Sequence, residues 1–217
     1  MQDWPDRLFR KRKKTCREVG VLQIVVGVSG ASGSVYGLRI LEKLRSFSGV
    51  EIHLVMTRAA EKTAWLETGR TGADFRALAH HHYPVEDIAA PLASGSFLTA
   101  GMVIAPCSIR AMSAIAAGIS SDLLTRAADV CLKERRRLVL MVRESPYHLG
   151  HLRTMVTLTE MGAVIAPPVP GFYQKPETVM DIVDHSVNRA LDLLGFPMSD
   201  AFRWKGPVRT RKGATRP

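Results

Sequence analysis

The chain has 217 residues, 46% of them hydrophobic, enough for one globular domain with a full core; no apolar run reaches the roughly 18–20 residues of a membrane span. Thirty Lys and Arg against twenty Asp and Glu give a formal net charge of +10, but residues 1–20 contribute +4 and residues 203–217 contribute +6, so residues 21–202 carry 17 charges of each sign and are neutral. A nucleic-acid-binding domain carries its basic patch on the folded surface, so the charge does not define this chain as one.

Residues 1–20, MQDWPDRLFRKRKKTCREVG, read as a basic extension, disordered by composition and without an apolar signal region. The sheet domain is expected over 21–202, with a second basic tail over 203–217. Ile24–Val28 is a β-branched run suited to a buried strand. Gly27, Gly30 and Gly33 follow the GxxGxxG spacing of a tight turn, and Leu38, Leu41 and Leu44 recur at helical spacing. Free N–H groups at such a helix start form an anion site. The absence of Gly-Lys-Ser/Thr removes a P-loop. Thr57-Arg58, ending a strand over Glu51–Thr57, stands where a dinucleotide fold places an acid. A phosphate site without an adenosine site suits a mononucleotide, with the Ser32 and Thr57 hydroxyls facing it.

Ala59–Glu67 reads as a helix, followed by a polar, His-containing region to about Pro91. There His80-His81-His82 has no Cys or acid at metal-ligand spacing beside it and reads as a solvated loop. Met102–Ala105 is a strand closed by Pro106-Cys107-Ser108. Helices follow over Ile109–Gly118 and Leu123–Arg136, then a strand over Leu138–Val142 ending at Arg143-Glu144. A helix over Leu152–Met161, a strand over Ala163–Ala166 and a helix over Pro176–Leu194 complete the pattern. Alternating strands and helices imply a single-domain α/β fold: three layers, doubly wound, with a mostly parallel Rossmann- or flavodoxin-like sheet. Ligands of such sheets bind beyond the strands' carboxyl ends.

Those ends gather the chemistry. Arg143 at one of them suits a phosphate and Glu144 suits acid–base work, although a surface ion pair explains the same dipeptide. Lys133, Arg135, Arg136 and Arg137 read as compensation of a helix dipole, and Arg189 as a snorkelling cation. Cys107 reads as a buried packing residue rather than a nucleophile. Three well-separated cysteines, Cys16, Cys107 and Cys131, suit free thiols and a cytoplasmic location. No Asp-rich element is present to hold magnesium against a diphosphate, so no metal is expected.

Taken together, GVSGASGSVYGLRILE, HLVMTRAA, ASGSF, GMVIAPCSIRAMSAIAAG, LLTRAADVCLKERRRLVLMVRESP and GAVIAPPVPGFYQKP resemble the UbiX-like flavin prenyltransferases, in family order from Val21 to about Phe196. The resemblance implies a homo-oligomer, typically a dodecamer, that transfers a dimethylallyl group from dimethylallyl phosphate to N5 and C6 of reduced FMN without a metal. The prenylated FMN would serve UbiD-type decarboxylases. By motif, Gly30, Ala31, Ser32, Thr57, Ser108, Ile109, Arg110, Ala111 and Arg143 fall at FMN positions. Arg126, Lys133, Glu144, Tyr173 and Arg189 fall at prenyl-phosphate positions, and Ser32, Glu67 and Glu144 at positions associated with chemistry. Two departures stand out: Gln174-Lys175 where a His is frequent, and Ala111 where a hydroxyl residue is common. An FMN-dependent cysteine-type decarboxylase and a non-catalytic FMN-binding protein are the competing readings.

Overall fold

A computed structural model describes residues 21–204 and residue 206; the basic extension over 1–20, with residue 205 and residues 207–217, lies outside the described residues. The strands β1 (Leu22–Val28), β2 (Val50–Met56), β3 (His81–Tyr83), β4 (Gly101–Cys107), β5 (Arg137–Val142) and β6 (Val164–Ile165) form one sheet in the order β3-β2-β1-β4-β5-β6. Every pairing is parallel. The strand order reverses between β1 and β4, which is where a doubly wound sheet opens its ligand crevice.

Period-2 alternation divides the sheet's residues between two cores. Ile24, Val26, Val28, Ile52, Leu54, Val103 and Val139 face a layer made of α1 (Ser34–Arg45), α2 (Arg58–Thr68), α3 (Gly72–Leu78) and α7 (Val179–Leu194). Val25, Val55, Met102, Ile104, Leu138 and Leu140 face α4 (Ile109–Ala116), α5 (Leu123–Lys133) and α6 (Leu149–Glu160). The central strands are buried on both sides, hence their unbroken apolar runs.

Helix boundaries follow caps more than apolar period. Asp122 and Thr125 form a reciprocal capping box that starts α5 at Leu123. Thr178 and Asp181 do the same for α7, so that helix starts at Val179 rather than Pro176. A third box, Thr71 with Asp74, starts α3 inside the region expected to be irregular. The expected solvated loop at His80–His82 is instead the edge strand β3, paired through His53↔His81, Leu54↔His82 and Val55↔Tyr83.

The basic run after α5 also does more than offset a dipole. Arg136 donates to the Phe97 carbonyl at 2.7 Å and to the Gly95 carbonyl, and Arg137 donates to the Leu193 carbonyl at 2.8 Å near the end of α7. These two guanidiniums satisfy carbonyls that would otherwise lack donors.

Gly37 sets the approach of α1 to the sheet: a Cβ there would strike the Ala105 carbonyl oxygen and lie 3.2 Å from a Val28 methyl. Alanine is ordinarily the better helix former by about 1 kcal/mol. Here Gly37→Ala is expected to destabilise the fold by about 1–3 kcal/mol through overpacking, read as a lower urea midpoint at unchanged slope.

Candidate active site

The crevice is built first by Ser29, buried at the end of β1. Its hydroxyl donates to the Pro106 carbonyl at 2.8 Å and accepts the Ser108 N–H at 2.7 Å, tying β1 to β4 across the reversal point. Both halves of the hydroxyl are used, as a buried polar group requires.

Beyond Ser29 the backbone turns through Gly30–Gly33, with Gly33 in the left-handed region (φ 98°). A Cβ on Gly30 would lie 2.5 Å from the Ala59 Cβ, so this loop sits directly on the start of α2. The expected open anion site at the start of α1 is corrected here: its N–H groups are already taken. The Glu67 carboxylate, from α2, accepts from the Gly33 N–H (2.9 Å), the Ser34 N–H (2.9 Å) and the Ser34 hydroxyl (2.7 Å). Partial burial pushes the Glu67 carboxyl upward, but hydrogen bonds from the Ser32 and Ser34 side chains and from the two N–H groups outweigh it. The net result lies below the ordinary carboxylate value. Ser32 and Glu67 are thus brought together.

Open donors lie instead at the neighbouring helix starts. Thr57 caps α2, accepting the Ala60 N–H at 3.1 Å, and Ser108 caps α4, accepting the Ala111 N–H at 3.3 Å. The N–H groups of Arg58, Ala59, Ile109 and Arg110 make no hydrogen bond among the described residues, nor do those of Gly30 and Ser32. The first four sit at positive helix ends beyond the strands, and the other two in the turn after β1. Arg143 crosses from the end of β5, its N–H donating to the Cys107 carbonyl (3.1 Å) and its Nε to the Ser32 carbonyl (3.1 Å). This crevice is rimmed by hydroxyls, open N–H groups and a guanidinium. The donor set fits a flavin mononucleotide. Ala111 is a buried methyl whose N–H is spent on the Ser108 cap.

A second cluster stands over α7. The Tyr173 hydroxyl lies 3.0 Å from His185 Nε2, and the Tyr173 ring packs against Phe202 and Trp204, with centroids 5.5 and 6.3 Å away. Arg189, one turn beyond His185, lies 3.5 Å from Asp192 Oδ2 and is 62% exposed along its side chain, so it is an ion-pairing surface cation rather than a snorkelling one. Arg203 also pairs with Asp192, through NH2 at 2.7 Å. Sequence reasoning did not single out His185, Asp192 or Phe202. Composition placed Arg203 and Trp204 in the basic tail. The i, i+4 and i, i+7 spacing of His185, Arg189 and Asp192 on one helix face was the available signal.

Not all predicted residues meet. Arg126 donates to the Ala93 carbonyl (3.1 Å) and pairs with Asp129 (2.7 Å), while Lys133 pairs with Glu134. Both lie on α5, in the layer opposite α7, so within one chain they are separated by the sheet from Tyr173 and Arg189. Glu144 lies just past β5 and accepts the Ser145 N–H at 2.9 Å. Cys107 and Cys131 are buried free thiols, each pushed up to about 12 by burial, which makes them packing residues.

Fold and site define an α/β protein of the nucleotide-binding type with an anion-accepting crevice at its reversal point. The family model described as Flavoprotein matches residues 12–191. Flavin prenyltransferase UbiX of Salmonella typhimurium is 53% identical over 186 residues, covering 85% of this chain and 98% of its own. The crystal structure of a dodecameric FMN-dependent UbiX-like decarboxylase from Escherichia coli O157:H7 superposes with a TM-score of 0.84 at 45% identity, covering 85% of this chain and 100% of that one. AnUbiX (PadA1), solved in complex with FMN and dimethylallyl pyrophosphate, gives 0.83 at 47% identity over 85% and 98%. The chain belongs to the flavoprotein family and, within it, to the UbiX-like flavin prenyltransferases.

Because the Glu67 carboxyl is lowered in the folded state, its stabilisation is fully present above the ordinary carboxylate value of about 4.3 and is lost as pH falls through the folded value. Glu67→Gln should therefore lower the urea midpoint at pH 7 relative to wild type. The gap should close as the pH is taken below the ordinary carboxylate range.

Proposed function

We propose that this chain is a flavin prenyltransferase, moving a dimethylallyl group from dimethylallyl phosphate to N5 and C6 of reduced FMN. The observation that carries this reading is the joining of Ser32, Glu67 and Arg143 at one crevice, built from three separate segments of the chain. When bound, reduced FMN supplies the electron-rich atoms that receive the dimethylallyl carbon.

The chain's residues divide the remaining work. Gly30, Ala31 and Ser32 form the floor against which the flavin lies. The open N–H groups of Ile109 and Arg110, with the hydroxyls of Thr57 and Ser108, hold polar groups of the cofactor. Arg143 spends only Nε on the Ser32 carbonyl, leaving its terminal nitrogens to donate to the flavin. Ala111 contributes packing but not the hydrogen bond that a hydroxyl would add.

Tyr173 and Arg189 receive the leaving phosphate, which needs preorganised donors as negative charge develops. Glu144 moves protons there, and the ionised Glu67 supports it by accepting from the Ser32 hydroxyl near the transferred group. Arg126 and Lys133 reach the same phosphate from a neighbouring copy, because their own chain's sheet separates them from α7; a homo-oligomer, a dodecamer as in the solved relative, meets that need. The prenylated product passes to a UbiD-type decarboxylase in the cytoplasm, a setting that the free thiols suit. The catalytic domain spans residues 21–202, flanked by basic segments, with Arg203 and Trp204 of the second one packed against it. Among the described residues no helix is long and apolar enough to cross a membrane.

Incubating the protein with FMN, a reductant and dimethylallyl monophosphate, then extracting the flavin for mass spectrometry, tests the activity. Flavin heavier by one dimethylallyl unit supports it. Unchanged flavin, together with decarboxylation of a C-terminal cysteine peptide, would replace it with the decarboxylase reading, and flavin binding without either product with the non-catalytic one. Arg189→Ala should raise the apparent KM for the prenyl phosphate roughly 10–100-fold, the worth of a charged hydrogen bond, while FMN affinity holds. Glu144→Gln should depress single-turnover transfer by about 10²–10⁴-fold with binding little changed. EDTA should leave the wild-type rate intact.

A further inference from the structure

At the amino-terminal half of the sheet's edge, on the α4–α6 side, stands a polar cluster with no part in the proposed transfer. β2 and β3 pair with His53 opposite His81, and Glu51 precedes His53 by two residues, so all three side chains leave the same face. The two imidazoles stack with centroids 4.7 Å apart at 19°. His81 Nε2 lies 3.5 Å from Glu51 Oε2, and one ligand atom from each of the three residues falls within 4.8 Å of the others. Gln23, opposite Glu51 on β1, donates to Glu51 Oε2 at 2.8 Å while its Oε1 touches His53 Nε2. His53 Nε2 is therefore the nitrogen turned toward the carboxylate.

We propose that Glu51, His53 and His81 form a binding site for one divalent transition cation of the zinc type. Two imidazoles and a carboxylate are the ligand chemistry of zinc, whereas magnesium and calcium take oxygen sets. Zinc holds N and O donors at about 2.0–2.2 Å, placing them about 3.3 Å apart. Exposed His81 and half-buried Glu51 have the freedom to close that distance around the fixed His53.

His53 is suited to anchor the site. It is buried, 2% exposed, so its ring is held in place by its neighbours. Its Nδ1 lies 2.9 Å from the Tyr83 hydroxyl. With the metal on Nε2, the ring proton moves to Nδ1 and donates to that hydroxyl, the outer partner that orients a ligating histidine. Phe97 packs edge-on against the ring at 5.2 Å and shields it. Gln23 Oε1 or a water completes four-coordination. The cation would clip the three-residue strand β3 to β2. It lies roughly 13 Å along β2 from the crevice at Thr57, four residues at about 3.3 Å each, so it takes no part in transfer.

The test is calorimetric titration of zinc chloride into metal-stripped, FMN-loaded full-length protein, with thermal melts alongside. Wild type should show one saturable site per chain and a melting midpoint raised by zinc. His81→Ala and Glu51→Ala should each weaken binding at least ~10-fold and abolish the rise, and Tyr83→Phe should weaken it about 10-fold. His82→Ala, on the opposite face of β3, and His151→Ala, beside His148 on α6, should bind as wild type. No saturable site in wild type, undiminished binding in both His81→Ala and Glu51→Ala, or loss in His151→Ala instead would each overturn the proposal.

Discussion

One carboxylate holds the crevice in shape. The loop after β1 carries a left-handed glycine and exposes the first N–H groups of α1, and Glu67 from the far end of α2 closes over them. A helix start left open attracts whatever anion is nearest. By filling α1 with an internal anion, the chain leaves the α2 and α4 starts as the places where an external one is welcome. Glu67 also takes the Ser32 and Ser34 hydroxyls, so the loop, α1 and α2 are positioned by a single group. Ser29 does the corresponding work on the other side, fixing β1 against β4 and delivering Ser108 to cap α4. Arg143 then completes a floor whose parts come from β1, β4 and β5.

The cations divide along the sheet. Arg143 reaches the crevice from the sheet itself, Arg189 stands on one helical layer, and Arg126 and Lys133 stand on the other. A phosphate must be met on several sides if cations rather than a metal are to carry its charge. A doubly wound sheet cannot fold its two helical layers onto each other. Only an assembly of copies would let cations of opposite layers share one anion, the chemical reason for the proposed oligomer.

Much of this was legible in the sequence because parallel strands announce themselves: β1, β4 and β5 are buried on both sides and read as unbroken apolar runs between glycine, proline and cap residues. The Gly30–Gly33 turn, Arg143 and Tyr173 were legible for the same reason, each lying directly after a strand or a proline turn. What escaped depended on partners far apart in sequence. His80–His82 looked like a solvated loop because the acid and second imidazole beside His81, Glu51 and His53, arrive only when β3 pairs with β2. The role of Glu67 as a cap was hidden by 33 residues of separation from Ser34. Cap chemistry at Thr71 and Asp74 was visible in principle, but the helix it starts is too short for apolar period to show.

The Tyr173 cluster rests on Asp192, whose side chain is only 10% exposed yet faces two guanidiniums. Such a carboxylate needs cations to offset its desolvation, and the geometry shows how they are shared. Arg203 binds it as a two-pronged partner, whereas Arg189 stays at 3.5 Å, longer than a hydrogen bond, with most of its side chain in solvent. Arg189 is therefore oriented without being consumed, and its donors stay available for an anion. Pinning Arg203 has a second effect through the chain itself: its neighbours Phe202 and Trp204 are carried onto the Tyr173 ring, whose hydroxyl is aligned by His185. One nearly buried acid thus sets both the charge and the aromatic wall of this cluster. A stretch that composition assigns to a solvated basic tail becomes part of its architecture.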